Sequence, residues 1–249
     1  MTRRIYISDL HLEDEDTPVF QRFAECLAAE STWADEIVIL GDLVEMWIGD
    51  DDDSALAESL RQTLLGAGSN CRVSFLHGNR DFLLGKGFAD TCGLQLLPET
   101  HITNDQVLLC HGDSLCTDDT EYQTLRETLR SPAWQADILN KSLIERKALA
   151  NAMRAQSRTS NANKPSNIMD VNAQATIQLV TDTQARVLVH GHTHRPGVHT
   201  VTGTACEARI VLGSWEYCGW LCRQDDANMQ LEAFSLARRY ENGNTHPAH

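Results

Sequence analysis

The amino-acid sequence predicts an α/β fold, and three observations carry that prediction. Through about residue 112, short apolar runs alternate with stretches of helical period, the pattern of strands joined by helices. Early runs such as Ile37-Val38-Ile39-Leu40 are apolar at every position, as expected of strands buried on both faces. After His194 the chain switches to short strands separated by Gly and polar turns, which predicts an antiparallel meander forming or completing a second sheet.

The elements follow in order. A strand over 3–8 leads to a helix over 17–30, on which Phe20, Phe23, Ala24 and Leu27 share a face. Strands over 36–41 and 71–77 precede helices around 54–66 and 81–91. A turn near Asn104-Asp105 introduces a strand over 106–111. Residues 119–157 read as helices, with Ser131-Pro132 as break and start signal. The polar stretch from Ser157 to Asn167, which contains Pro165, reads as a loop. A helix over about 170–183 leads to a strand over 185–190. The meander takes 198–202, 207–212, 216–222 and 229–235. The resulting domain plan is a core of residues 1–118 and 166–240, a helical insertion at 119–165 and a frayed tail at 241–249.

The chain's 249 residues suffice for one large domain, or a domain with an insertion. No apolar run approaches the ~20 residues that span a bilayer. Ser8, Asp9, His11 and Glu13 interrupt the start too soon for a secretory signal, so a cytoplasmic location is expected. The eight cysteines lack the paired spacing of a thiolate zinc site and are expected to be reduced and mostly buried. A net charge of -14 argues against a nucleic-acid partner. Residues 121–164, with 8 Lys/Arg against 4 Asp/Glu, are the one basic part of this acidic chain.

Five short segments end in metal-type side chains just after apolar runs: Asp9-Leu10-His11, Gly41-Asp42, Gly78-Asn79-Arg80-Asp81, His111-Gly112-Asp113 and Gly191-His192-Thr193-His194. Were their strands to share one sheet, Asp9, His11, Asp42, Asn79, His111, His192 and His194 would meet at its edge. Taken singly these are weak signs. Asp-x-His recurs by chance, His111 alone reads equally as a core histidine, and Asp42 as a turn former. Gly-His-Thr-His is stronger, because two imidazoles two residues apart after a strand seldom serve packing. Seven carboxylate, amide and imidazole donors exceed one tetrahedral zinc and suit two divalent ions, with Mn²⁺ favoured by the share of hard oxygen. Asp42, on the second strand, is the natural bridge. The Asp50 to Asp53 run reads as a solvated turn, and Trp47 as core packing.

These motifs resemble the calcineurin-like metallophosphoesterase superfamily, whose pattern is Asp-x-His, Gly-Asp, Gly-Asn-His-Asp/Glu, a later His and Gly-His-x-His. The resemblance runs from Asp9 to His194. It implies a four-layer αββα sandwich of two mixed β-sheets between helices. It also implies one ion held by Asp9, His11, Asp42 and His194, and a second by Asp42, Asn79, His111 and His192. Arg80 stands where that pattern has His, a residue commonly assigned as acid to the leaving alkoxide. An arginine, with its pKa above about 12, cannot give up that proton, but it can grip phosphate oxygens. The exchange suits a leaving group that is already a weak base, such as a phosphate with its second pKa near ~6. Arg80 therefore points to a pyrophosphate rather than an alkyl phosphate.

Longer phrases narrow the resemblance: Gly41-Asp42-Leu43-Val44-Glu45-Met46-Trp47-Ile48-Gly49-Asp50-Asp51, the run from His111 to Asp119, and Ile168-Met169-Asp170-Val171-Asn172. They are similar to the branch of the superfamily that hydrolyses UDP-2,3-diacylglucosamine in lipid A synthesis. That likeness implies substrate contacts at Asn79, Arg80, Asp119, Ser157, Asn161, Lys164 and His192, with Tyr122 close by. It implies attack at the α-phosphorus, with Arg80, Asn79 and His192 offsetting charge in the transition state. The basic helical insertion would then be a lid. Leu139, Leu143, Ile144 and Met153 would line its groove, while Arg126, Arg130, Arg146, Lys147 and Arg154 would meet phosphates or an anionic inner membrane. A monomer held weakly on the cytoplasmic side of that membrane is expected. The rivals are a soluble nucleotide or dinucleoside polyphosphate phosphoesterase, which would not require the insertion, and a non-catalytic scaffold.

Overall fold

Strands β1 (Arg3–Ile7), β2 (Glu36–Ile39), β3 (Arg72–Phe75) and β4 (Leu94–Leu96) run parallel, side by side in that order. The structure is a computed structural model that describes residues 2–163, 168–243 and 245–247. A second sheet is built from β5 (Thr100–Ile102), β6 (Val107–Cys110), β7 (Val187–His190), β8 (Gly197–His199) and β9 (Ala208–Val211), in the order β5-β6-β7-β9-β8. Its three central strands are parallel and its two edges antiparallel. Strands β10 (Cys218–Asp225), β11 (Asn228–Ser235) and β12 (His246–Pro247) return to the first sheet and extend it antiparallel from β1.

Alternation along the strands makes the layers. On β1, Ile5 and Ile7 face one core, with helices α1 (Pro18–Glu30), α2 (Ala55–Gly68) and α3 (Lys86–Cys92), while Tyr6 faces another. That second core lies between the sheets, where Tyr6, Val38 and Leu76 meet Val107, Leu109 and Val189. On β6, Leu108 and Cys110 face outward to helix α7 (Ala173–Asp182) and its Val180. The result is four layers, αββα, with both sheets mixed, as the family resemblance implies. Side-chain oxygens start the helices: Thr17 accepts from the Phe20 amide, Ser54 from Ala57 and Asn172 from Ala175.

The structure departs from the sequence reading in several places. The strands carrying the candidate ligands do not share one sheet; β1, β2 and β3 lie in the first, β6 and β7 in the second. The expected meander is split between the sheets, and buried Trp215 marks the crossing, its amide on Asp9 O at 3.0 Å and its indole N–H on Trp220 O at 3.1 Å. The helix expected at 81–91 begins only at Lys86, because the buried Asp81 carboxylate accepts from the Gly78 and Leu43 amides and holds its segment as a turn. The stretch expected as loop from Ser157 continues as helix to Asn163, with the Thr159 hydroxyl turned back onto the Ala155 carbonyl instead of capping a turn. Residues 246–247, inside the expected tail, pair with Glu232 and Ala233. Strands β4 and β5, three residues each, are too short to leave a periodic signal.

Between 119 and 165 the chain forms α4 (Thr120–Arg130), α5 (Pro132–Leu139) and α6 (Leu143–Asn163). At the opposite, amino-terminal end of the first sheet, a buried polar cluster fastens the strands. Glu36 accepts from Arg4 Nε at 3.1 Å, Arg72 Nε at 3.0 Å and Ser74 Oγ at 2.6 Å, and Arg4 reaches Asp105 at 2.8 Å. Burial alone would raise the Glu36 carboxyl; Arg72, Ser74 and Arg4 outweigh it and hold the group below its ordinary value. Asp105 is likewise lowered to about 2, burial being overcome by Thr103, Arg4 and Gln224. Both depressed carboxyls add stability above their unfolded values and lose it as pH falls through the folded ones. Urea unfolding should therefore show stability falling between about pH 4.5 and 2. Glu36→Ala should cost about 2 kcal/mol at pH 7 by removing one of buried Arg4's two carboxylate partners and the acceptor of Ser74, and a change below about 0.5 kcal/mol would contradict the role given to the cluster.

Candidate metal centre

The glycines beside the candidate ligands let two loops touch. A Cβ on Gly78 would lie 2.2 Å from Asp42 Oδ1, and one on Gly191 would lie 2.1 Å from Asp9 Oδ2. The carboxylates thus sit directly against neighbouring main chain. The Arg80 amide donates to Asp42 Oδ1 at 2.9 Å, and the His192 amide to Asp9 at 3.0 Å. Asp9, His11, Asp42, His192 and His194 all have φ between 49° and 65°, the left-handed region that side-chain-bearing residues seldom occupy. Eight non-glycine residues among those described do so, and five are candidate ligands, a clustering typical of functional sites.

All seven expected ligand side chains converge where the carboxyl ends of β1, β2, β3, β6 and β7 face one another across the two sheets. Ligand atoms of Asp9, His11 and His194 lie within 4.8 Å of one another, as do those of Asp9, Asp42 and His111. His194 Nε2 is 3.3 Å from Asp9 Oδ1 and 3.3 Å from His11 Nε2. Asp42 Oδ2 lies 3.8 Å from His11 Nε2 and 3.6 Å from His111 Nε2, between the two groups. Asn79 Oδ1 lies 3.0 Å from His111 Nε2 and 2.9 Å from His192 Nδ1.

The donor chemistry fits cations. His111 Nδ1 faces the Leu40 carbonyl at 2.8 Å, so in the neutral ring Nδ1 carries the proton and Nε2 turns its lone pair toward the Asn79 and Asp42 oxygens. Lone pair facing lone pair, with the other ring nitrogen held by a carbonyl, is the arrangement of a metal-binding histidine. The charges agree. Burial alone would raise Asp9; His194, His111 and His11 outweigh it and hold the carboxylate well below its usual range. Burial would lower His11, but Glu45, Asp42 and Asp9 raise it to about 9. Burial and the neighbouring His111 lower His192 to about 4.

Supporting residues escaped the sequence reading. Asp81 ties the Gly78 and Leu43 loops together; burial and the Asp42 charge raise it to about 7. Buried Asp113 accepts from Tyr122 Oη at 2.9 Å and Arg126 Nε at 2.7 Å. Glu45 lies 3.0 Å from His11 Nδ1. Both Asp81 and Asp113 close motifs that the sequence displays, and that position was the available signal.

A cleft of about 280 Å³ opens over the centre, lined by His11, Asn79, Arg80, Asp119, Tyr122, Ser157 and Thr193 among others. Asp119 caps α4 through the Tyr122 amide, and the Tyr122 ring lies 5.9 Å from that of His192. Arg80 Nε and Thr193 Oγ1 are buried in its wall without a hydrogen-bond partner among the described residues. The side chain of Asn161, and all of Lys164, lie outside the described residues.

The basic segment is used differently from the expectation. Arg126 pairs with Asp113 and Glu99, Arg130 with Glu99 and the Gly78 carbonyl, Arg146 with Asp51 and Arg154 with Glu45 and Glu13. Four of the five cations expected to meet phosphate or membrane instead fasten the helices to the acidic core; Lys147 remains exposed. Met153 lines an apolar recess with Trp47, Phe82, Trp134 and Ile138, whereas Leu139 and Ile144 are exposed.

The calcineurin-like phosphoesterase family matches residues 2–196, and the chain belongs to that family. Within it, the chain is 41% identical over 239 residues to UDP-2,3-diacylglucosamine hydrolase of Salmonella typhi, covering 93% of this chain and 99% of that protein. The same identity and coverage hold for the UDP-2,3-diacylglucosamine hydrolase of Salmonella paratyphi B. Among solved structures, vacuolar protein sorting 29 from Cryptosporidium parvum overlays at a TM-score of 0.48 and 13% identity, covering 99% of this chain and 95% of that one.

Because the Gly78 main chain abuts Asp42, Gly78→Ala should displace that carboxylate. Isothermal titration with Mn²⁺ should show loss of at least one of two bound ions while far-ultraviolet circular dichroism is kept. Wild-type binding would contradict the close-approach argument.

Proposed function

We propose that this chain hydrolyses the pyrophosphate bond of UDP-2,3-diacylglucosamine in lipid A biosynthesis, yielding UMP and 2,3-diacylglucosamine 1-phosphate. The observation that carries this is the near end-to-end 41% identity to proteins named for that activity. The Arg80 guanidinium in the cleft wall supports it, since its buried Nε has no hydrogen-bond partner among the described residues and could donate to a phosphate oxygen.

In our reading Asp9, His11, Asp42 and His194 hold one divalent ion, and Asp42, Asn79, His111 and His192 the other, with Mn²⁺ as the native metal. Such ions lower the pKa of water to near neutrality and withdraw charge from phosphoryl oxygens. The protein's own groups do the remaining work. The water oxygen bonds to the α-phosphorus as the bond to the bridging oxygen breaks, and that oxygen departs with the lipid phosphate. Arg80 balances the charge gathering on these oxygens. Its guanidinium stays protonated throughout, which suits a leaving group that needs no proton. Asn79 and His192, fixed against each other at 2.9 Å, border the same space. Asp119, Tyr122 and Ser157 line the cleft where the sugar would lie, with Asn161 and Lys164 assigned to substrate as well.

Residues 119–165 act as a lid over the core formed by residues 1–118 and 166–240. The apolar recess of Trp47, Phe82, Trp134 and Met153 holds about 20 Å³, room for about one water and far too little for an acyl chain. Seating an acyl chain there requires α5 and α6 to part from Trp47 and Phe82. No helix among the described residues is long and apolar enough to cross a membrane. Ile144, 83% exposed, and Leu139 on the lid suit shallow, peripheral contact with the cytoplasmic face of the inner membrane.

Hydrolysis in ¹⁸O water, followed by mass spectrometry, tests the reaction. Label should enter UMP; label in the lipid phosphate would overturn attack at the α-phosphorus. Unacylated UDP-glucosamine turned over as fast as the diacylated substrate would favour the soluble-nucleotide alternative, and absence of any Mn²⁺-dependent hydrolysis would favour a scaffold. Arg80→Ala should retain both ions yet lower turnover ~10²–10³-fold, and unchanged turnover would remove Arg80 from the mechanism.

A further inference from the structure

Glu45 belongs to neither ligand set and to none of the substrate contacts, yet it joins the two halves of the site. Its Oε2 lies 3.0 Å from His11 Nδ1, and its Oε1 lies 2.6 Å from Arg154 Nε on α6. The main chain around Glu45 and His11 is fixed on the core. The Glu45 amide donates to Leu12 O at 3.0 Å, and the His11 amide to Asp42 O at 3.0 Å. Arg154 comes from the helical segment, where it also pairs with Glu13. Neither contact of the Glu45 carboxylate is well angled: the first sets a carboxylate beside the N–H that a neutral, Nε2-ligating His11 carries on Nδ1, and the second is an ion pair. Arg126, Arg130 and Arg146 also end on carboxylates of the core, Asp113, Glu99 and Asp51. Arg154 is the one of these four whose carboxylate partner forms an ion pair with a candidate metal ligand, among the described residues.

We propose that Glu45 is a positioning residue that couples seating of the helical lid to the ion on the His11 side of the centre. Arg154 presses the carboxylate against His11, and the carboxylate turns the imidazole so that Nε2 faces Asp42 and His194. A carboxylate behind a ligating imidazole also makes its free nitrogen a better donor. When the lid lifts to admit acyl chains, Arg154 withdraws, Glu45 keeps only Arg80 and His11 as neighbours and the hold on that ion loosens. Entry of the lipid and strength of the centre are thereby linked. The inference rests on the two-ion reading and goes beyond it.

Co²⁺ titration, followed by visible absorption and by competition with a chelator, separates the two. Wild-type protein should bind two ions. Arg154→Ala, which removes no candidate ligand, should weaken one of them by about tenfold and leave the other unchanged, within the range seen for partners of metal ligands. Glu45→Gln, of the same shape, should weaken the same ion, and the double variant should be no weaker than Glu45→Gln alone. Restored affinity in Arg154→Lys would support a charge contact. Wild-type affinity for both ions in Arg154→Ala, additive losses in the double variant, or equal weakening of both ions with a lowered Tm would each overturn the coupling. A wild-type protein binding fewer than two Co²⁺ would remove the two-ion reading and the coupling with it.

Discussion

Two buried carboxylates, Asp9 and Asp42, share one small volume with four imidazoles and an amide oxygen, and only positive charge can make that assembly stable. Coulomb repulsion between unit charges at ~4 Å is several kcal/mol at an effective dielectric near 20. The fold is arranged to bear this strain. Two sheets present five strand ends to a single spot, glycines let main chain close on the carboxylates, and five candidate ligands are held in left-handed backbone. Amides of Arg80 and His192 already lend partial positive charge to Asp42 and Asp9. The polar cluster of Glu36, Arg4 and Asp105 fastens the far end of the first sheet, so the ligand-bearing ends are placed by a rigid frame.

The same electrostatic economy explains the uneven charge along the chain. Isolated, the basic segment at 121–164 reads as a surface for anionic partners. In the fold it meets the acidic core, and its arginines close on Asp113, Glu99, Asp51, Glu45 and Glu13. The pairs whose carboxylates are exposed, on Glu99, Asp51 and Glu13, are individually weak, of order 1 kcal/mol or less. Apolar contact at Trp134, Ile138 and Met153 supplies the rest of the seating.

Much of this was legible in the sequence because ligand residues at strand ends are tied to a period that propensity reveals. The continuous apolar runs before Asp9, Asp42, Asn79, His111 and His192 announce buried strands, and the residue types announce hard cations. The partition into two sheets was not legible, since a strand's own residues do not say which neighbour it pairs with; only Trp215, crossing between sheets, marks the place. The helical run through Ser157 and Thr159 was missed because Ser, Thr and Asn, taken singly, favour caps and turns. Asp81, Asp113 and Glu45 were visible as letters but not as roles. Each acts through a neighbour distant in sequence, which only the tertiary arrangement supplies.

The central claim, that these strand ends gather two cations, is tested most directly by anomalous diffraction at the manganese edge from crystals grown with Mn²⁺. The account predicts two peaks ~4 Å apart, both within bonding distance of Asp42, with His11 and His194 on one and His111 and Asn79 on the other. A single peak, or peaks remote from Asp42, would contradict it.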